Sequence, residues 1–315
     1  VPTTPDDEPA VVVDGLVKSY DGAPRAVDGL SFTAAAGEIT LVLGPNGAGK
    51  TSTVEICEGL RSRDAGTVRV LGRDPGDPAG RRALSSEVGA MPQAAAAYPG
   101  IRAGEMLRLV ARMYAQPLDT GALLERLGLT ALARTPVRRL SGGEQQRLSF
   151  ALAVVGRPRL VFLDEPSAGL DVQARHAAWD LLRELRNAGV TIVLTTHLMD
   201  EAEALADHVV VIDHGRVVAA GSVSALTHGG AEGQVRFRAP TGLDLAQLLT
   251  ALPDGTEAAE SPAGQYVVEG AVDPQLLAAV TAWAAGQRAL LEDLRVEQRS
   301  LEDVFLDLTG RALRP

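Results

Sequence analysis

The 315-residue sequence holds a single cysteine, Cys57. One cysteine closes no internal disulfide and builds no cysteine-rich metal cluster, so the chain fits a reducing compartment. No apolar run approaches the roughly 20 residues that cross a bilayer. The longest candidate, LLAAVTAWAAG at 276–286, is too short and carries Thr281, so no membrane span is expected. A net charge of −10 argues against a generally basic surface that coats nucleic acid. Thirteen acids and seven bases lie from residue 226 onward, whereas residues 11–225 are close to neutral. Lysine is nearly absent: Lys18 and Lys50 stand against 28 arginines, a bias that fits GC-rich codon usage. Four of the five histidines, His176, His208, His214 and His228, show no metal-ligand spacing, and no repeat of 20–50 residues is present. Cys57, Trp179 and Trp283 fall on apolar stretches and read as core.

What is there divides into three parts. The opening VPTTPDDEPA is acidic and proline-containing, unlike a secretory leader, and residues 1–10 read as a flexible arm. Residues 11–43 alternate strand-like stretches with Gly and Asp turns, and EITLVLG has the apolar continuity of a buried central strand. Helical signals dominate from about 80 to 135, in RRALSSEV, AGEMLRLVARMYAQ and TGALLERLGLTALA, which predicts a helical insertion at about 94–140. LVFLDEP, QARHAAWDLLRELRNAG, VTIVLTT, MDEAEALAD and HVVVID then alternate strand and helix, the pattern of a parallel sheet. HVVVIDHGRVVAAG predicts a hairpin about His214 and Gly215. The glycine-rich THGGAEG at 227–233 separates a first domain, 11–226, from a small α+β domain, 233–315. Ser300 and Asp303 predict a capping box at the start of its last helix.

GPNGAGKT at 44–51 matches GxxxxGK[ST], between a buried strand and a helix, the context that a phosphate-binding P-loop needs. Gly44, Gly47 and Gly49 let the backbone of Pro45, Asn46 and Ala48 wrap closely around phosphate oxygens, with the helix N-terminus behind them. Lys50 reaches the β- and γ-phosphates, Thr51 offers a hydroxyl to Mg²⁺, and Ser52, next in the chain, counts with them among the ATP-binding residues. LVFLDEP at 160–166 ends an apolar strand in two acids. Beside a P-loop, Asp164 suits the Mg²⁺ acid and Glu165 the general base; alone, they are equally a strand ending in solvated acids.

LSGGEQQR at 140–147 supplies a hydroxyl and bare N–H groups at a helix start, a good anion site or an ordinary cap. Here the chain resembles the ATP-binding subunits of ABC transporters, whose signature these residues match. The resemblance implies an α/β fold: a P-loop ATPase core with a parallel sheet, an antiparallel β front end and a helical insertion. It also implies that Ser141, Gly142, Gly143 and Glu144 address ATP held by a second copy, with Glu144 standing where many members carry Gln. By the same resemblance Tyr20 stacks on adenine, Gln93 senses Mg²⁺ and the membrane partner, Asp171 in SAGLD crosses the dimer interface, and His197 contacts the γ-phosphate. Catalysis is thereby assigned to Glu165, His197 and Lys50.

The tail, especially SLEDVFLDLTGRAL, is similar to the daunorubicin-resistance subgroup of drug exporters. That resemblance implies an ATPase subunit, using ATP and Mg²⁺, at the cytoplasmic face of the membrane. Its implied partners are a separately encoded permease and a second copy of the chain, without nucleic acid. An importer ATPase and a soluble ABC ATPase are the alternatives.

Overall fold

In a computed structural model of the chain, residues 8–21, 24–92, 98–228, 233–252, 255–270, 272–297 and 300–309 are described. The chain forms two compact units that divide between Val223 and Ser224.

The first unit begins with β1 (Val11–Lys18), β2 (Val27–Ala34) and β3 (Ile39–Leu43), followed by α1 (Lys50–Cys57) and β4 (Ala65–Val70). Strands β2, β1 and β4 make an antiparallel sheet, while β3 leaves for the centre of another. Helix α2 (Pro78–Leu84) is capped by Asp77 with Pro78 at its first position, where a missing N–H costs nothing. β5 (Val88–Met91) follows at once. The helix expected over RRALSSEV therefore stops before Val88. VGAM is a sheet strand too short for a period of two to be legible.

Helices α3 (Ala103–Ala111) and α4 (Thr120–Arg126) lead into α5 (Gly142–Val154). α3 ends short of the AGEMLRLVARMYAQ pattern, and the chain turns over Met113 and Tyr114 before Pro117. Leu107, Leu123, Leu124, Leu129 and Leu148 are buried within this helical part.

β6 (Leu160–Asp164), α6 (Val172–Asn187), β7 (Thr191–Thr196), α7 (Met199–Leu205), β8 (His208–Asp213) and β9 (Arg216–Gly221) complete the unit. Gly189, at φ +85°, ends α6 as expected, and His214 and Gly215, both at positive φ, turn β8 into β9. The central sheet has the order β5-β6-β7-β3-β8-β9, parallel except for β9. Every residue of β3, β6 and β7 is buried, which is why these segments read as unbroken apolar runs. Because β3 lies between β7 and β8, the loops after β3, β6 and β7 leave the sheet at one carboxyl edge. One core joins both sheets through Val13, Leu30, Val54, Ile56, Phe162 and Val210.

The second unit opens with α8 (Val223–His228), where the sequence pattern places the end of one domain and the start of a linker. β10 (Gly233–Arg238), α9 (Leu245–Ala251), β11 (Glu257–Glu260), β12 (Gln265–Gly270), α10 (Pro274–Gly286), β13 (Glu292–Glu297) and α11 (Leu301–Thr309) follow. The antiparallel sheet has the order β11-β12-β10-β13. β11, EAAE, escapes the sequence pattern because an edge strand of four residues without large apolar side chains carries no alternation signal. Phe237, Tyr266 and Trp283 centre the core, with Phe237 stacked on Tyr266 at 5.3 Å. Ser300 and Asp303 form the expected reciprocal cap of α11.

Candidate nucleotide site

The loop from Gly44 to Gly49 joins β3 to α1 at the carboxyl edge. A Cβ at Gly44 would lie 2.3 Å from the Ile212 carbonyl, and one at Gly49 2.3 Å from the Ala26 carbonyl. Gly49 also sits at φ +103°, so the loop closes only with glycine at both places. Lys50 is buried, and its Nζ donates to the Gly44 carbonyl at 2.7 Å and the Pro45 carbonyl at 3.1 Å. Burial pulls its ammonium below the ordinary lysine range, while Glu165 and Asp164 oppose that shift. The amine thus stands over the loop, 4.0 Å from Glu165 Oε1.

Register brings the acids to the same edge, for Asp164 pairs with Thr195 in the parallel ladder and Leu43 with Thr196. Asp164 is buried, and desolvation pushes its carboxyl upward; hydrogen bonds from Thr195 and Thr51 oppose the rise, and Glu165 adds to it. Glu165 has φ +51°, a left-handed backbone that costs a non-glycine residue roughly 1–2 kcal/mol. The turn is held on both sides, since the Glu165 N–H donates to the Thr195 carbonyl at 3.1 Å and its carbonyl accepts from Gln146 Nε2 at 2.7 Å. His197, directly after β7, brings Nδ1 to 3.2 Å from Glu165 Oε1.

Tyr20 lies beyond the end of β1 and shares a 2.9 Å hydrogen bond with the Ser52 hydroxyl, so its ring is anchored to the P-loop helix. Arg61 stands 5.2 Å from the ring centroid. Lys50, Thr51, Ser52, Asp164, Glu165, His197 and Tyr20 therefore converge. Gln93 lies outside the described residues.

The signature stretch is built around the start of α5. Ser141 Oγ accepts from the Glu144 N–H at 3.3 Å, and Glu144 Oε2 accepts from the Ser141 N–H at 2.7 Å. Glu144 thus closes a capping box, a use for this side chain that the sequence pattern leaves open. Gly142 has nothing within 4 Å of where a Cβ would sit, while Gly143 faces Leu170 at 3.4 Å. Asp171 caps α6 by accepting from the Ala174 N–H at 2.8 Å. Thr195 and Gln146 brace the acid pair, and a strand threonine and a helix glutamine carry no local mark of that role in the sequence.

The donor set suits a hard divalent cation. Thr51 and Asp164 offer a hydroxyl and a carboxylate, with a second carboxylate adjacent, and Mg²⁺ commonly uses one or two such ligands plus substrate phosphates and water. Among the described residues no group of three or more His, Cys, Asp or Glu is placed to hold a metal by itself.

Residues 27–168 match the family model described as ABC transporter. The Nod factor export ATP-binding protein I of Ralstonia nicotianae is 40% identical, over 97% of this chain and 95% of that protein. The chain belongs to the ATP-binding subunits of ABC transporters. The daunorubicin/doxorubicin resistance ATP-binding protein DrrA of Streptomyces peucetius is 37% identical over 96% of this chain and 92% of that protein. The ABC ATPase fold recurs in a solved ATP-binding subunit of an ABC transporter, with TM-score 0.62 and 27% identity, covering 70% of this chain and 92% of that one. A dimeric cassette bound to ADP and Pi aligns with TM-score 0.63 at 22% identity, covering 67% of this chain and 98% of that one. As an ABC ATPase, the subunit binds and hydrolyses ATP. Among the described residues, no helix is long and apolar enough to cross a membrane.

Proposed function

We propose that this ABC subunit powers export of a small molecule through a separately encoded permease, as one of two identical cassettes that close on two ATP molecules. The observation that carries export is the extent of the likeness: the relatives named for Nod factor export and for daunorubicin resistance match over 96% or more of the chain, C-terminal unit included.

The site residues take these roles. The P-loop N–H groups and Lys50 hold the phosphates, and the ammonium, drawn toward Glu165 and Asp164, stays available to neutralise them. Tyr20 packs against the adenine. Thr51 and Asp164 hold Mg²⁺, with Gln93 as a further contact; the ion, when bound, offsets charge on the phosphate oxygens. Glu165 accepts a proton from the attacking water, a role typically worth ~10² to 10⁴ in rate. His197, beside Glu165, faces the γ-phosphate and keeps the carboxylate directed. Ser141, Gly142 and Gly143 complete the site of the partner copy, Glu144 holds their helix start in shape, and Asp171 lies at the crossing between copies. The subunit then works at the cytoplasmic face of the membrane, held there by the permease.

ATP hydrolysis by the purified chain, alone and with a candidate permease in lipid vesicles, tests the reading. Stimulation by the permease and efflux from the cytoplasmic side are expected. Glu165→Gln should abolish both while retaining ATP and accumulating a nucleotide-bound dimer. Hydrolysis indifferent to any permease would point to a soluble ATPase, and substrate movement in the opposite direction to an importer.

A further inference from the structure

Glu201 is a fully buried acid that the roles above leave unused. One of its oxygens, Oε1, accepts from two elements at once: the Ser167 hydroxyl at 2.7 Å and the Trp179 indole N–H at 3.1 Å. Burial pushes its carboxyl above the ordinary glutamate range, with the polar neighbours Thr196, Ser167 and Trp179 and the Arg175 charge opposing that shift. Desolvating such a group is costly, and an apolar side chain of similar size would fill the space with less penalty. Its two hydrogen-bond donors, Ser167 and Trp179, and its place on α7 are not arbitrary. Ser167 lies two residues after Glu165, Trp179 belongs to α6, which Asp171 caps, and α7, which carries Glu201, starts two residues after His197.

The backbone explains why an anchor is needed there. Glu165 holds a left-handed φ that persists only where the surroundings over-determine it. Thr195 holds its N–H and Gln146 its carbonyl, while the chain beyond it is tied at Ser167 to Glu201. On the other segment, the Leu198 N–H donates to the Thr196 hydroxyl at 3.0 Å and turns the chain at His197 into α7, the helix that carries Glu201. One side chain therefore links the segment leaving Glu165 to the segment leaving His197.

We propose that Glu201 is a positioning residue for hydrolysis, which keeps Glu165 and His197 in mutual register by joining Ser167, Trp179 and α7 through one buried carboxylate. The inference rests on the roles given above to Glu165 and His197. Small misplacements of reacting groups are expensive, up to roughly 10²-fold per ångström in rate. Ser167→Ala and Trp179→Phe each delete one donor while leaving the fold's bulk intact, and Glu201→Ala deletes the acceptor. Each is expected to lower kcat, by about 3- to 10-fold for the single donors and on the order of 10- to 100-fold for Glu201→Ala, with the Kd for ATP little changed. Glu201→Gln, whose amide oxygen still accepts from both donors, should retain most of the rate.

The measurement is kcat per occupied nucleotide site, with Kd and melting temperature taken on the same full-length samples. A purely structural role would lower the melting temperature and the binding-competent fraction but leave turnover per occupied site unchanged; that result in Ser167→Ala and Trp179→Phe overturns the proposal, even if Glu201→Ala fails to fold. Glu165→Gln in parallel separates the two ideas. If it hydrolyses ATP normally, the base assignment fails; if it is inactive while the donor variants turn over normally, only the positioning role of Glu201 fails.

Discussion

Glu58, immediately after α1, shows how a single side chain is governed by its neighbours. Neither of its carboxylate oxygens finds a hydrogen-bond partner, and burial, the charge of Asp164 and the charge of Glu55, in that order, push it from an ordinary 4.5 up to about 8. A carboxyl raised on folding keeps its proton in the native state while the unfolded chain has already released it. Its contribution is present below pH 4.5 and is lost as pH climbs from 4.5 to about 8. Glu58→Gln should remove that dependence and stabilise the protein at pH 8 by up to a few kcal/mol relative to wild type, with the difference disappearing below pH 4.5. Urea titrations at several pH values measure it; parallel curves for the two proteins would contradict it. At this scale the sequence was informative where motif spacing is rigid, as for Lys50, Asp164 and Glu165. It was silent on Glu58, Thr195 and Glu201, because an acid or threonine in an apolar helix or strand does not announce what the fold brings beside it. Cys57 followed its expected course: buried, with its thiol raised to about 12, it is a small core residue.

Among elements, close approach decides more than propensity does. β5 is only four residues long and forms an edge of the central sheet by pairing with β6, with α5 pressed onto it: a Cβ on Gly89 would come within 2.1 Å of the Ala153 carbonyl. Gly89→Ala should therefore separate strand from helix and cost about 1–3 kcal/mol, visible as a lowered thermal midpoint of the first unit. An unchanged midpoint would mean that α5 shifts without strain. The same logic separates the elements that were legible from those that were not. α6, with its apolar face, its cap at Asp171 and Gly189 at its end, was readable from local pattern. β5 and β11, each four residues, were not, since their strand character comes from pairing with β6 and β12 rather than from their own side chains.

In the whole molecule, the chain divides into two units, the first built on two sheets and the second on one, each with buried apolar residues of its own. Trp283 belongs to the second core, where it meets Phe237 and Tyr266 edge-on and donates its indole N–H to the Asp244 carbonyl. Trp283→Ala should cost that unit roughly 3–5 kcal/mol and lower its calorimetric transition while the transition raised by nucleotide stays in place. A uniform fall of a single transition would show instead that the chain melts as one cooperative body. The sequence by itself determined the chemistry class, because phosphate binding demands glycines, a lysine and a hydroxyl at a spacing that few other sites share. It also determined the order of strands and helices along most of the chain. Only the tertiary structure decided which strand sits in the middle of the sheet, and hence that the loops after β3, β6 and β7 meet at one edge. Parallel pairing joins residues more than a hundred positions apart, as in Leu43 with Thr196, and no local pattern encodes a partner at that distance.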